Sequence, residues 1–470
     1  MKKTGIGIKI ICACVLLLLV VYAGGCYYYG NHFQRGTLID QVDVSNLTVQ
    51  DLADRVDAYF LRIQERKSDG SSYEESIDGK AIDLSYASTE PLQQILREQN
   101  QYLWFLPQHE EHETEALLSY NKDKLTQAVQ ALKGFEEDFA QAPTNAHISE
   151  YTPVAGFSIV AETQGNELDQ AKTLEVISNA VEELKGLVDL DAEGCYETPA
   201  VTSDSEELQN TLQKLQKYGT VTITYRFGDN IEVLDGSTIS TWLEVDGFAV
   251  TLDQTQVENY VATLRKKYDS IFRSRTFMTS YGKEITVDGG DYGWWMNYQQ
   301  EAKELAAQIE TGESGERTPV YYQTAASYGA PDYGDTYVEI NLTAQHLFFY
   351  KDGQLVMESD FVSGNSARGY DTPEGTYSIT YKQRNATLVG ENYETPVSYW
   401  MPFNKNIGMH DATWRASFGG IIYKTKGSHG CINMPYEKAQ ELYGYIEKGT
   451  PVICYHLAGT ERSTESELEK

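Results

Sequence analysis

The sequence predicts an α+β protein: an N-terminal membrane helix, two mixed α+β modules and a C-terminal strand-rich domain. Three observations carry this. An apolar run opens the chain, an echoed pattern of turn and amphipathic helix fills its middle, and short alternating segments between turn residues dominate its end. At 470 residues the chain is too long for one hydrophobic core and divides into domains.

Residues Ile10 to Gly25 are apolar, entered through Lys2, Lys3 and Lys9 and left through Tyr27, Tyr28 and Tyr29. Counted to Tyr29, the run is about 20 residues, or about 30 Å of helix, enough to cross a bilayer. The lysines favour a cytoplasmic N-terminus and the tyrosines suit the far interface. Residues 1–30 are therefore expected to be a cytoplasmic start and single-pass anchor in the cell membrane, with the rest of the chain extracytoplasmic. Two other uses stay open. Val21-Tyr22-Ala23 fits a signal-peptidase site, and Ala23-Gly24-Gly25-Cys26 weakly resembles a lipoprotein acceptor.

The two modules are expected over 38–200 and 201–325. Asp78-Gly79-Lys80-Ala81-Ile82 is echoed by Asp235-Gly236-Ser237-Thr238-Ile239, each read as a turn leading into a short alternating segment. A helical pattern follows each, with Leu125, Val129 and Leu132 in the first and Val257, Val261 and Leu264 in the second. The second module ends in the aromatic run Asp291-Tyr292-Gly293-Trp294-Trp295. Such rings either close the module's core or stack on sugars or an extended peptide. Glu301 to Ile309 is predicted helical and Glu310 to Glu316 a polar loop, with a linker near 327–332.

The last domain is placed at 335–457. Tyr337 to Leu342 alternates, Leu347 to Tyr350 is apolar, and Asp352-Gly353 makes a hairpin turn into Leu355-Val356-Met357. Thr372 to Tyr377 is a turn before another strand. Pro435 starts a helix carrying Ala439, Leu442, Tyr443 and Ile446 on one face, and Pro451 to Tyr455 is a buried strand. Residues 458–470 are polar and expected to be a disordered tail.

A net charge of -31 makes nucleic acid and anionic lipid poor partners. Of six cysteines, Cys12, Cys14 and Cys26 belong to the membrane segment or its edge. The remaining three show no CxxC or zinc spacing, so neither a disulfide framework nor a metal site is expected. Cys454 reads as a buried strand residue and Cys195 has no neighbouring base. Cys431 differs: it stands in Ser428-His429-Gly430-Cys431-Ile432-Asn433, with His410 upstream, so two of only eight histidines fall near it. A thiolate is a strong nucleophile when a base or cation lowers its pKa. Spacing alone leaves both histidines open as the base. His429 would share a face with Cys431 in an extended backbone, whereas His410 must arrive through the fold. The backbone N–H groups of Gly430 and Cys431 are candidate oxyanion donors.

The last domain resembles the YkuD-type L,D-transpeptidases, which cross-link bacterial peptidoglycan. The resemblance rests on Asn341-Leu342-Thr343-Ala344-Gln345-His346-Leu347, Val362-Ser363-Gly364, Thr372-Pro373-Glu374-Gly375-Thr376-Tyr377, Gly408-Met409-His410 and Ser428-His429-Gly430-Cys431-Ile432-Asn433, in that order. Asp291-Tyr292-Gly293-Trp294 and Arg317-Thr318-Pro319-Val320-Tyr321 make the preceding modules similar to the peptidoglycan-binding modules of such proteins; as spacers they would serve equally. The resemblance implies a YkuD-like catalytic domain with Cys431 as nucleophile, His410 as base and His429 in a supporting or substrate-contacting role. Ser428, Asn433, Trp414 and Arg415 become candidate substrate-binding residues, with a loop-holding Asn433, a packed Trp414 and a solvated Arg415 as the plainer alternatives. The Asp411 side chain, where many members carry Gly, either folds back to orient His410 or stays solvated.

The implied reaction has two steps. Cys431 attacks the carbonyl of the third residue of a tetrapeptide stem and expels the terminal D-Ala, and an amine of a neighbouring stem then resolves the thioester. No cofactor or metal is expected, and the partners are peptidoglycan stem peptides. Rival readings are an L,D-carboxypeptidase on the same fold and a wall-binding protein without activity. A sortase would need a Cys-bearing strand and a downstream Arg that do not fit around Cys431, and papain-like hydrolases place Cys before His.

Overall fold

The computed structural model describes residues 4–40, 42–106, 109–114, 118–390 and 393–462. Most of the expected disordered tail, 463–470, lies outside the described residues. Two compact units emerge, Met1–Ser149 with Ile159–Gln209, and Glu150–Ser158 with Asn210–Lys470.

The first unit opens with α1, Thr4–Tyr29. Its segment Gly7–Tyr29 has a mean hydropathy of 2.5, with none of its most apolar 18-residue stretch buried, so it is long and apolar enough to cross a membrane. The three tyrosines at its end divide. Tyr27 is exposed, whereas Tyr29 is buried and its hydroxyl donates to Asn46 Oδ1 at 2.8 Å.

The first repeat is built on β1, Phe60–Arg66, and β2, Ser72–Asp78, an antiparallel pair. Helices α2, Lys122–Gln130, and α3, Gln170–Glu182, cover it. Strand β3, Leu187–Asp189, returns parallel to β1 with Leu187 opposite Arg62. Leu61 and Ile63 alternate inward and pack with Leu125, Val129 and Leu132, at the helix spacing read from sequence. Cys195 is buried in this core, and burial pushes its thiol up to about 11.

In the second unit the same plan recurs. Strands β4, Ile223–Phe227, and β5, Asn230–Leu234, form the hairpin. Helices α4, Gln254–Tyr268, and α5, Tyr298–Thr311, follow, and β6, Gly315–Arg317, runs parallel to β4. The sheet orders β2-β1-β3 and β5-β4-β6 therefore match, which accounts for the echoed sequence pattern.

Two details differ from the reading of the sequence. Asp78 and Asp235 do not open strands; each caps a helical turn, Gly79–Ile82 and Gly236–Ile239. Asp78 accepts from the Lys80 N–H, and Asp235 from those of Ser237 and Thr238, so the carboxylate satisfies donors that a strand would have sent to a neighbour. The expected loop at 310–316 ends in β6, because Gly315 and Glu316 pair with Ile223 and Thr224.

The fully buried Glu301 of α5 accepts from Arg317 Nε at 2.6 Å and Nη2 at 3.1 Å, from the Tyr225 hydroxyl at 2.6 Å and from Val320 N–H at 2.8 Å. This network ties α5 to β4 and β6. The aromatic run is divided between buried and exposed positions. Tyr292 is buried, and Trp294 stacks on Tyr328 at 3.8 Å while its Nε1–H donates to Ser327 O; Trp295 stays partly exposed.

The C-terminal domain contains β7, Tyr337–Asn341, β8, His346–Lys351, β9, Gln354–Asp360, and β10, Gly375–Ser378. It continues with β11, Gln383–Gly390, β12, Tyr393–Asn404, β13, Ile407–Asp411, and β14, Ile432–Met434. Helix α6, Tyr436–Tyr445, and β15, Pro451–Tyr455, complete it. One sheet has the order β9-β8-β7-β15-β10 and the other β11-β12-β13-β14. The β8–β9 turn places Asp352 and Gly353 at positive φ, as a two-residue hairpin requires. Val338, Ile340, Phe349, Met409, Ile432, Leu442 and Cys454 are among the residues that fill the core between the sheets and α6.

Candidate functional site

Strands β13 and β14 run parallel, with Met409 opposite Ile432 and His410 opposite Asn433. Side chains alternate along a strand, so Met409, Ile432 and Met434 enter the core. His410, Asn433 and, one alternation earlier, Cys431 take the other face. There Cys431 packs against Ala386, Val397 and Trp400, and the Trp400 ring lies 5.9 Å from that of His410. The β11–β12 hairpin thus forms one wall over the thiol.

His410 is buried, and its Nδ1–H donates to the Asp411 carbonyl at 2.9 Å. A carbonyl only accepts, so Nδ1 carries the proton and Nε2 presents a lone pair. The Asn433 amide, oriented as its neighbours require, puts its oxygen 2.7 Å from Arg415 Nε and 3.2 Å from Nη2, and its NH2 donates to His410 Nε2 at 3.1 Å. Asn433 therefore contacts the imidazole directly. Arg415 is half-buried and braced through Nη1 on Lys426 O at 2.9 Å, so it is not the solvated residue of the plainer reading. Trp414 is half exposed, with its ring 5.9 Å from that of His410, and the packed alternative does not hold. The Asp411 side chain neither folds onto His410 nor stays solvated: it is buried, and only its backbone carbonyl meets the imidazole. Its carboxylate instead accepts from the N–H groups of Ser398 and Tyr399, both at 2.8 Å.

The separated sequence motifs meet beneath Cys431 through hydrogen bonds. Gln345 donates to Ser363 Oγ and accepts from Ser363 N–H, joining the β7–β8 turn to the strand end at Val362-Ser363-Gly364. Ser363 O accepts from Ser428 N–H, and Val362 and Asn433 exchange backbone bonds. Thr372 Oγ1 accepts from Gly364 N–H at 3.1 Å and donates to Gly430 O at 2.7 Å. Thr372, Trp400 and Tyr370 are site residues that the sequence did not single out individually. For Thr372 the signal was present, since it begins one of the quoted motifs.

Two expectations about the 428–431 turn change. His429 does not share a face with Cys431, because Gly430 sits at φ 119° and breaks the extended backbone between them. Its exposed ring packs on Tyr370 at 4.7 Å instead. The Gly430 N–H is already committed to Ser428 Oγ at 3.0 Å, while the Ser428 hydroxyl donates to Cys431 O at 2.6 Å. Of the two expected oxyanion donors, the Cys431 N–H is the one that remains. A Cβ at Gly430 would lie 3.2 Å from Ile407 Cδ1 and would strain the positive φ. Gly430→Ala is expected to displace the thiol and lower turnover about 10²-fold, read as kcat/KM on a soluble stem peptide.

Burial pushes the Cys431 thiol up to about 11, partly offset by the Gly408 N–H beside it, and Sγ donates weakly to Asn406 O at 3.6 Å. Burial pushes His410 below its ordinary value, although the Asp411 carbonyl opposes this. Near neutral pH the resting pair is therefore a thiol and a neutral imidazole rather than an ion pair. A raised thiol pKa means little thiolate at pH 7 and more as pH rises. Alkylation of Cys431 by iodoacetamide should accordingly keep accelerating beyond pH 9; a plateau near pH 7 would show a preformed thiolate. Chemically, the site offers a sulfur nucleophile, a nitrogen base with its other nitrogen anchored, and a backbone donor at the sulfur-bearing residue.

Residues 335–454 match the L,D-transpeptidase catalytic domain family YkuD, and 74–189 and 201–317 each match a family described as peptidoglycan binding. The chain is 36% identical to an Enterococcus faecium L,D-transpeptidase solved as a cysteine-to-serine mutant, over 53% of this chain and 100% of that one, with a TM-score of 0.44. It is 44% identical to the catalytic domain of the E. faecium L,D-transpeptidase acylated by ertapenem, over 26% of this chain and 98% of that one, with a TM-score of 0.24. An L,D-transpeptidase from Mycobacterium tuberculosis is 20% identical over 30% of this chain and 60% of that one, with a TM-score of 0.23. No curated protein matches the chain.

Proposed function

Because this chain belongs to the L,D-transpeptidases, with a YkuD catalytic domain preceded by peptidoglycan-binding domains, we propose that it cross-links peptidoglycan stem peptides through a thioester on Cys431. The observation that carries this is that Cys431 and His410 lie on one sheet face, with the His410 Nδ1 proton held by Asp411 O so that Nε2 is the acceptor nitrogen.

In the first step the Asn433 amide releases His410 Nε2, which takes the thiol proton as Sγ bonds to the carbonyl carbon of the third stem residue. The Cys431 N–H stabilises the resulting oxyanion. The bond to the terminal D-Ala nitrogen then breaks, and that amine leaves with the proton from His410. In the second step an amine of a neighbouring stem attacks the thioester and gives its proton to His410, and the thiol is restored. The low proton affinity of buried His410 helps it return the proton, while the high pKa of Cys431 requires that transfer accompany attack. Asn433 positions the imidazole and is itself held by Arg415. His429, Trp414 and Ser428 border the approach to the thiol. Helix α1 is retained as an anchor, with the catalytic domain facing the wall outside the cell membrane.

Purified tetrapeptide stems separate the outcomes. Peptide dimers with released D-Ala are expected, whereas tripeptide alone would make the protein an L,D-carboxypeptidase. The ertapenem-acylated relative suggests a second readout. A carbapenem should add once to the intact protein, and the adduct should map to Cys431 by mass spectrometry.

A further inference from the structure

The aromatic end of the second repeat presents one surface that the chemistry at Cys431 does not use. Trp295 turns outward and meets two more rings, Phe272 and Tyr322. Their exposures are 36%, 67% and 54% respectively. Phe272 stands edge-on to Trp295 with centroids 6.3 Å apart, and Tyr322 tilts against Trp295 at 4.9 Å and 51°. Three separate segments of chain thus bring three partly exposed rings into one cluster.

The cluster is built rather than left over. Phe272 is held at φ 60°, a left-handed conformation in which a bulky residue is strained. The loop beneath it is pinned at several points. Ser270 and Ile271 N–H groups converge on Trp294 O at 3.1 and 3.2 Å, and Trp294 N–H donates to Ser270 Oγ at 2.9 Å. Buried Arg275 binds the carbonyls of Ser270, Arg273 and Tyr292, and its charge is met by Asp332 at 2.7 Å. Tyr322 and Trp295 sit on the short strand pair Trp295–Met296 with Tyr321–Gln323. A large ring held outward on a strained but rigid backbone is what a stacking ligand needs, because little ordering entropy remains to be lost on binding.

We propose that Phe272, Trp295 and Tyr322 form a binding site for the amino-sugar backbone of glycan strands, a reading that rests on the wall function proposed above. The C–H face of a pyranose ring is apolar and weakly positive, and it stacks on the negative face of an aromatic ring. Phe272 and Trp295 lie within 201–317, the second segment that matches the peptidoglycan-binding family. The chain's net charge of -31 disfavours an anionic lipid surface as the occupant.

The test uses detergent-solubilised full-length protein and its Phe272→Asn/Tyr322→Thr variant. Asn tolerates the left-handed backbone and Thr suits a strand, so the fold is preserved. Each protein is mixed with purified sacculi and with peptide-free glycan strands, and D-Ala release from soluble tetrapeptide is measured in parallel. The wild type should bind both materials and the variant about tenfold more weakly or worse, with D-Ala release unchanged. Equal binding by the variant overturns the proposal. So does wild-type binding to sacculi but not to peptide-free strands, which makes the stem peptide the occupant. A concentration-dependent dimer lost in the variant also overturns it and makes a second copy of the chain the occupant. Ring-dependent strand binding without any tetrapeptide turnover would overturn the catalytic reading alone.

Discussion

Cys431→Ala is expected to lower transfer from tetrapeptide stems by about 10⁴–10⁶-fold, the scale seen when a nucleophile is removed from a site whose members act as a unit. The fold should persist, because Sγ makes only the weak contact to Asn406 O and the packing against Trp400 and Val397 loses a single atom. Circular dichroism and melting temperature therefore serve as controls, and sacculus binding should remain intact. Cys431→Ser should fail almost as badly, since a hydroxyl ionises less readily than a thiol and the pocket already disfavours the anion. Turnover that survives in Cys431→Ala would exclude this residue as the nucleophile.

Arg317→Ala is expected to destabilise the second repeat by about 3–5 kcal/mol, because it leaves the fully buried Glu301 carboxylate without its counter-charge. The Tyr225 hydroxyl and Val320 N–H would still donate to Glu301, but neither supplies charge. Arg317→Met combined with Glu301→Gln should recover much of the loss, since the penalty lies in the unpaired ion rather than in the missing bond. Calorimetric unfolding, with tryptophan emission from Trp242, Trp294 and Trp295 reporting on this repeat, would read the effect. The first repeat offers an internal contrast. Thr173 stands four residues after the N-cap of α3 just as Glu301 does on α5, and Gln64 pairs with Asp189 at 3.1 Å where Tyr225 and Arg317 are opposed. No comparable ion pair forms there among the described residues.

Local signals in the sequence translated well. Asp352-Gly353 required a two-residue hairpin, and the spacing of Leu125 with Val129 and of Val257 with Val261 required helices, because each pattern is decided within a few residues. The aspartates at 78 and 235 were misread because the same side chain that marks a turn also caps a helical turn. The parallel strands β3 and β6 escaped because their partners lie far away along the chain and they show no alternation of their own. At the site, Cys431 stood out by its neighbours, but sequence spacing favoured neither histidine. Only the parallel register of β13 and β14 puts His410 on the thiol's face, and only the positive φ of Gly430 removes His429 from it. The role of Asp411 was equally hidden, since the group that holds His410 is a carbonyl present at every residue.

Strand β15 lies in the interior of its sheet, between β7 and β10, yet it is the last strand in sequence among the described residues. Val338 pairs with Val452 and Thr376 with Ile453, so two neighbours wait for a segment that emerges after every residue of the thiol site. A chain emerging from its N-terminus thus carries Cys431 and His410 before it has the strand that completes their domain. The domain is consequently completed only when β15 is made, and a truncation removing Pro451 onward is expected to abolish activity although Cys431 and His410 are both retained.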